Sequence, residues 1–200
     1  MTADDTGGSH GTADWPVALR GVTESVVATL GPNDRWSVAA LGVHAGDPVT
    51  ARTYGRTRTR RNFRERGGGY VQFTRDPVDF VEAALGVWER AEPVLSSADA
   101  WARVAVERRD ATAEGDTPVV TWELAVEEAA VERETVPTTN RGHAAVVEAT
   151  VAASRLDVDA YDTERLRERL AYFESVVESC GGEREREAFD RLRDLVDDEW

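Results

Sequence analysis

The sequence predicts an α+β protein that is mainly β: a small closed or nearly closed barrel followed by a helical C-terminal region. Short β-branched runs alternate with Gly, Pro, Asn and Asp turn clusters through the first half. Residues 101–135 alternate with period two on either side of a glycine turn, which is typical of a long hairpin. After residue 138 the apolar spacing becomes helical. The predicted division is a disordered N-terminus at 1–14, a barrel at 15–138 and a helical region at 139–200.

The first half predicts a meander, a short helix and a fourth strand. Thr59 is the predicted N-cap of the short helix. The glycines at 67–69, which follow the helix, are expected to form a flexible turn. The predicted strands are 22–30, 36–43, 49–54 and 70–74, and the helix is 60–66.

The remaining elements follow from capping and periodicity. Asp76-Pro77 predicts a helix start, because Asp caps well and Pro suits the first helical position. Glu114-Gly115-Asp116 separates the two hairpin strands. The predicted hairpin strands are 101–112 and 117–135, and the predicted C-terminal helices are 140–156, 162–179 and 183–199.

Composition limits the classes of function. The chain has 200 residues and a formal charge of -14, and all 24 of its basic residues are Arg. Such acidity is typical of proteins adapted to high salt, although codon bias in a GC-rich genome also favours Arg over Lys. The charge counts against general nucleic-acid binding. Cys180 is the single cysteine, so an intrachain disulfide and a cysteine metal site are excluded.

The sequence shows no sign of membrane targeting. The N-terminus is acidic and lacks the basic and apolar regions of a signal peptide. No apolar run approaches the length of a membrane span. We therefore expect a soluble, cytoplasmic protein.

An arginine-rich block interrupts this acidic chain. Between Val49 and Arg64 there are six arginines and no acidic residue. Thr57, Thr59 and Asn62 add short hydroxyl and amide groups, which can converge on one phosphate where a strand end becomes a helix start. The block therefore predicts binding of a cofactor phosphate. The alternative is an Arg-rich surface helix paired with acidic neighbours.

The order strand, Thr57-x-Thr59-x-x-Asn62-Phe63, short helix, glycine, strand resembles the phosphate-binding segment of the flavin-reductase-like split barrels. Over residues 19–155 the chain more closely resembles the archaeal domain-of-unknown-function family 447. That resemblance rests on a Thr-Glu-rich first strand, on Ala40-Leu41-Gly42-Val43, and on a helix running from Asn140-Arg141 to Arg155-Leu156. The chain departs from the family at Ala40 and Leu41, where Pro and Met are expected.

The resemblance implies a split β-barrel of FMN-binding type with a C-terminal helical region, and FMN bound between two subunits. Hydroxyls, the Asn and nearby arginines would hold the phosphate, and the Ala40–Gly42 backbone would line the isoalloxazine ring. The implied cofactor-binding residues are Arg52, Tyr54, Arg56, Thr57, Thr59, Asn62, Ala40, Leu41, Gly42 and Arg141.

Three other groups of residues carry weaker signals. Arg141 is expected near the flavin or the subunit interface, or else in a polar stripe with Glu148 and Arg155. The three histidines share no ligand spacing, so no metal site is predicted; His44 could approach a substrate but is expected in a turn. Glu127-Glu128 could suggest acid–base chemistry, but chance pairings are expected among 38 acidic residues.

The resemblance makes a flavin-dependent oxidoreductase or flavin-reductase-like protein the expected function, and the residues identify no catalytic acid or base. One alternative is a non-catalytic module that binds FMN or another phosphorylated ligand. The second is RNA binding through the Arg52–Arg66 block, with Tyr54, Phe63 and Tyr70 stacking on bases. The expected partners are FMN and a second copy of the chain.

Overall fold

The computed structural model of the protein describes residues 13–196 and residue 200. The predicted disordered N-terminus lies outside this part of the chain except for Ala13 and Asp14, as does the last part of the predicted third C-terminal helix. The strands are β1 Val22–Leu30, β2 Trp36–His44, β3 Thr50–Tyr54, β4 Gly68–Thr74, β5 Trp88–Arg90, β6 Ala98–Glu114 and β7 Thr117–Val131. The helices are α1 Arg58–Arg66, α2 Pro77–Leu85, α3 Arg141–Ala153, α4 Thr163–Cys180 and α5 Glu183–Leu195.

Six antiparallel strands close into a barrel. Their order around the barrel is β1-β4-β6-β7-β3-β2, and β2 pairs with β1 again to complete the ring. β5 adds to the outer edge of β2 at residues 36–38. The predicted barrel, hairpin and C-terminal helices are confirmed. β5 was missed because three residues are too few to show a period of two.

The glycines at 67–69 were predicted wrongly as one flexible turn. Gly67 does end α1 in a left-handed conformation, with φ 72°. Gly68 and Gly69 instead belong to β4, where neighbouring strands approach closely: an added Cβ on Gly69 would lie 2.7 Å from the carbonyl oxygen of Ala28. These two glycines therefore permit close strand packing rather than flexibility.

Three apolar clusters hold the molecule together. One fills the barrel, where Phe63 of α1 packs edge-on against Trp122 with ring centroids 5.4 Å apart. A second lies between the outer face of the β1–β2 sheet and α2, and a third joins α2 to α3, α4 and α5. α2 therefore connects the barrel to the helical region.

Two ion pairs reinforce that connection. Asp76 caps α2 by accepting from the backbone N–H groups of Val78 and Asp79, and it also accepts from both Nε and Nη2 of Arg184 in α5. Arg191 donates to Glu82 at 2.7 Å. α5 is thus held against α2 by charge as well as by apolar contact. None of the described helices is long and apolar enough to span a membrane.

Candidate functional site

The barrel wall is open between β2 and β3. Within the described residues, β3 pairs with β2 only at Val43 and His44, and β5 pairs with β2 only at residues 36–38. The edge of β2 at residues 39–42, about 13 Å of strand, therefore has no strand partner on the β3 side. Backbone N–H and C=O groups on that edge are available to a ligand, because pairing on the β1 side satisfies only alternate residues.

Small residues line one side of this opening and larger ones the other. The β2–β3 register, continued past its last pair, sets Gly42 across from Arg52 and Ala40 across from Tyr54. These side chains lie on the outer face of the barrel, whereas Leu41 points inward and is buried in the barrel core. Four predicted residues therefore lie beside the opening, and the N–H and C=O groups of Ala40 and Gly42 face it. The backbone of Leu41 instead faces Ser25 of β1, whose Oγ donates to the Leu41 carbonyl at 2.6 Å.

α1 begins at the opposite end of the opening from His44. Arg58, at the start of α1, forms a 3.4 Å ion pair with Glu89 of β5. Since β5 pairs with β2 at residues 36–38, the helix start lies beside the end of the opening that β5 closes. An elongated ligand could therefore extend along the β2 edge and reach the N-terminus of α1.

Thr57, not Thr59, caps α1. Thr57 is extended, with φ −81° and ψ 162°, and its Oγ1 accepts from the backbone N–H of Arg60 at 3.2 Å. The predicted cap was wrong by two residues because Thr59, Asn62 and Phe63 share the buried face of the helix at i, i+3 and i+4. The backbone N–H groups of the first helical residues have no partner within the helix, and no acidic side chain lies in its first turn.

Asn62 anchors α1 to the barrel. Its side chain is 1% exposed, and its Nδ2 donates to Thr29 Oγ1 of β1 at 3.0 Å. Its Oδ1 accepts from Arg61 Nε at 3.3 Å. The amide is therefore directed toward β1, and in this structure Asn62 orients the helix that carries the arginines. Thr59 is buried on the same face, at 6% exposure.

The arginines of the block differ in their partners. Arg58 pairs with Glu89 and Arg64 with Glu65, and three others bind protein oxygens: Arg60 to Gly55 O, Arg61 to Asn62 and Arg66 to Gly31 O. Arg52 and Arg56 are exposed and make no hydrogen bond or ion pair with the described residues. The alternative from the sequence, an Arg-rich surface helix paired with acidic neighbours, fits Arg58 and Arg64, whereas Arg52 on β3 and Arg56 before α1 lie outside the helix.

His44 is the last residue of β2, not a turn residue as expected from the sequence. It pairs with Thr50, and its side chain lies on the same outer face as Gly42 and Arg52. Partial burial, and then the positive charge of Arg52, lowers the pKa of His44 below its ordinary value. Sequence reasoning undervalued His44 because its neighbour Arg52 is eight positions away along the chain.

Arg141 starts α3 and is exposed. α3 adjoins the outer β1–β2 face at Val147 and Glu148. Val147 packs on the same cluster as Ala40, and the charge of Glu148, after burial, helps to raise the pKa of Glu24. Arg141 lies two helical turns, about 10 Å, from Glu148. Its predicted place near the flavin stays a prediction.

Other charged groups are engaged in structural pairs. Glu127 and Glu128 both bind Arg103, as expected for chance carboxylate neighbours. A cleft of about 380 Å³ lies where the start of α5 meets the barrel. It is lined by paired side chains, among them Arg75 with Asp99 and Arg184 with Asp76. Among the described residues no group of three His, Cys, Asp or Glu side chains could hold a metal ion.

Comparison with known proteins matches two family models to the chain. They are described as the N-terminal domain of a protein of unknown function (DUF447), matching residues 23–133, and as a protein of unknown function (DUF447), matching residues 140–194.

Several solved structures are similar to the chain. An FMN-bound DUF447 protein from Methanosarcina mazei has a TM-score of 0.75 and 24% identity, over 89% of this chain and 96% of that chain. The styrene monooxygenase flavin reductase from Pseudomonas putida S12 has a TM-score of 0.41 and 12% identity, over 58% of this chain and 93% of that chain. An FMN-binding protein from Thermus thermophilus with bound p-hydroxybenzaldehyde has a TM-score of 0.42 and 14% identity, over 70% of this chain and 87% of that chain. The fold is a split β-barrel of FMN-binding type with a C-terminal helical region, as predicted.

Removing the charge of Arg52 is expected to raise the pKa of His44. Protonated His44 is disfavoured beside a cation, so Arg52→Gln should move the pKa back toward its ordinary value, and burial should keep it below that value. An NMR titration of the His44 ring protons, assigned with His44→Gln, measures this. Arg108→Gln, an exposed arginine on β6, is the control; an equal shift in both variants would contradict the prediction.

Removing the Asn62 amide is expected to destabilise the fold. Asn62→Ala leaves the buried Thr29 hydroxyl without its donor, which should lower the free energy of unfolding by about 1–3 kcal/mol. Urea unfolding in high salt measures the loss. Arg64→Ala, on the exposed face of the same helix, should change stability by less than about 0.5 kcal/mol. Equal losses in the two variants would show that the buried amide contributes nothing specific.

Proposed function

Because this chain belongs to the DUF447 family, we propose that it binds FMN in the opening between β2 and β3. One observation carries the proposal: an unpaired strand edge flanked by small residues leads to the N-terminus of a helix with no acidic first turn. A flat ring fits the first feature and a phosphate the second. The FMN-bound family member with the same fold supports this choice of ligand.

The phosphate is assigned to the start of α1. Arg56 precedes the helix and has no partner among the described residues, so its guanidinium is free to bind a phosphate in bidentate fashion. Thr57 and the first N–H groups of α1 add hydrogen-bond donors. Thr59 and Asn62 lie beneath the helix, and we assign them the role of holding it in place.

The isoalloxazine ring is assigned to the β2 edge. Ala40 and Gly42 present little bulk on the outer face, and their backbone N–H and C=O groups, which face away from β1, offer donors and acceptors to the polar edge of the ring. Tyr54 lies across the opening and is 47% exposed, so it is available for contact with the ring. Bound FMN would supply electron-transfer chemistry, and the chain would position the ring and hold the phosphate. We propose an oxidoreductase role on this basis.

We further propose a homodimer with the flavin at its interface. Val22, beside Gly42, is 54% exposed, and Tyr54 is 47% exposed, so two large apolar side chains flank the opening uncovered. A second copy would cover them and the outer face of the ring. Sedimentation of the FMN-loaded protein in high salt should give twice the 22.0 kDa chain mass. A monomer with full flavin occupancy would contradict the dimer and leave the FMN site in place.

FMN binding is tested by the absorption spectrum of the purified protein and by titration of FMN into any colourless fraction. We expect flavin bands and about one equivalent of FMN per chain. Arg56→Gln should weaken FMN binding at least tenfold, because a charge-assisted phosphate contact contributes about 1.5–3 kcal/mol. Riboflavin, which lacks the phosphate, should bind both proteins equally.

Arg64→Gln is the matched control, since Arg64 belongs to the same block but pairs with Glu65. It should leave the Kd for FMN unchanged. Absence of FMN binding at any salt concentration would overturn the proposed function. Salt-sensitive binding of single-stranded RNA by the same colourless protein would instead favour the RNA alternative.

A further inference from the structure

The opening carries at each end an arginine without a partner in the described part of the chain, and FMN has one phosphate. Arg56 lies at the end where α1 begins. Arg52 lies across from Gly42 in the continued β2–β3 register. Gly42 is four residues, about 13 Å of strand, from Val38, where the pairing of β2 with β5 ends. The two arginines therefore mark separate positions along the opening.

No described residue neutralises Arg52 by an ion pair or hydrogen bond. The nearest acidic residue on β7, Glu123, pairs in register with Thr50 but is bound by Arg109 at 3.0 Å. Glu24 lies on β1, on the far side of Gly42 and so two strand spacings, about 10 Å, from Arg52. In a chain with a formal charge of -14, an uncompensated arginine beside the proposed ring position is available to an anion.

His44 completes the surroundings of Arg52. It pairs with Thr50, and its side chain is the diagonal neighbour of Arg52 on the outer face, where the last β2–β3 pair closes the opening. Diagonal side chains on adjacent strands lie within reach of long side chains. A neutral imidazole can donate one hydrogen bond to an anion that the guanidinium holds.

We propose that Arg52 and His44 form a second anion-binding subsite, which receives the carboxylate or phosphate of a small molecule lying against the flavin beside Gly42. The proposal rests on the proposed FMN site and names the class of molecule that the flavin meets there. It assigns Arg52 to that molecule and leaves the FMN phosphate to Arg56 and α1.

The test uses three probes of similar size: benzoate, phenyl phosphate and the neutral benzamide. Each is titrated into FMN-loaded protein and followed by perturbation of the flavin bands and by the NMR shift of the His44 ring protons. We expect at least one anion to bind tenfold or more tightly than benzamide. A response to benzoate alone indicates a carboxylate ligand, and a response to phenyl phosphate alone indicates a phosphate ligand.

The variants separate the two proposals. Arg52→Gln should weaken binding of the anion at least tenfold while changing the Kd for FMN by less than threefold. Arg108→Gln should change neither dissociation constant. The proposed subsite is overturned if anions bind no more tightly than benzamide. It is also overturned if Arg52→Gln weakens FMN binding as much as Arg56→Gln does. If FMN does not bind but anions still shift His44 in an Arg52-dependent way, the proposed function fails and the anion subsite stands.

Discussion

The incomplete pairing of β2 with β3 is the constraint on which the rest of the site depends. The β2–β3 pairing stops at Val43 and Ala51, so within the described residues a barrel that is closed elsewhere leaves the edge of β2 at residues 39–42 unpaired. Unpaired backbone groups are costly unless water or a ligand binds them. The opening therefore combines exposed hydrogen-bonding groups with small side chains, a combination that a continuous sheet would not offer.

The position of α1 follows from a buried contact rather than from its charged surface. Phe63 inserts into the barrel and Asn62 binds Thr29, so the exposed face of the helix and its N-terminus take a defined direction. A buried amide whose hydrogen bonds are satisfied specifies orientation more strictly than apolar contact alone. The N-terminus of α1, and Arg56 just before it, thus depend on residues that never reach the ligand.

Charge is distributed unevenly over the arginine block. Arg58 and Arg64 meet carboxylates, which limits repulsion within a short cationic helix. Arg52 and Arg56 meet no carboxylate of residues 13–196, although the chain carries 38 acidic residues. Two cations that lack a partner among the described residues of so acidic a protein are consistent with ligand binding at both ends of the opening. Burial, and then the charge of Arg52, lowers the pKa of His44.

The sequence by itself determined the barrel, the long hairpin and the helical C-terminal region, because strand alternation and helical spacing are local periodicities. The charge pattern along the chain marked the arginine block, and the resemblance to a family suggested Ala40–Gly42 as ring contacts. Only the tertiary structure decided that Thr57 caps α1 while Asn62 is buried, since burial of the helix face depends on β1, which lies some 30 residues away. Likewise, the proximity of His44 to Arg52 comes from strand register, which is set by pairing across the barrel and not by spacing along the chain.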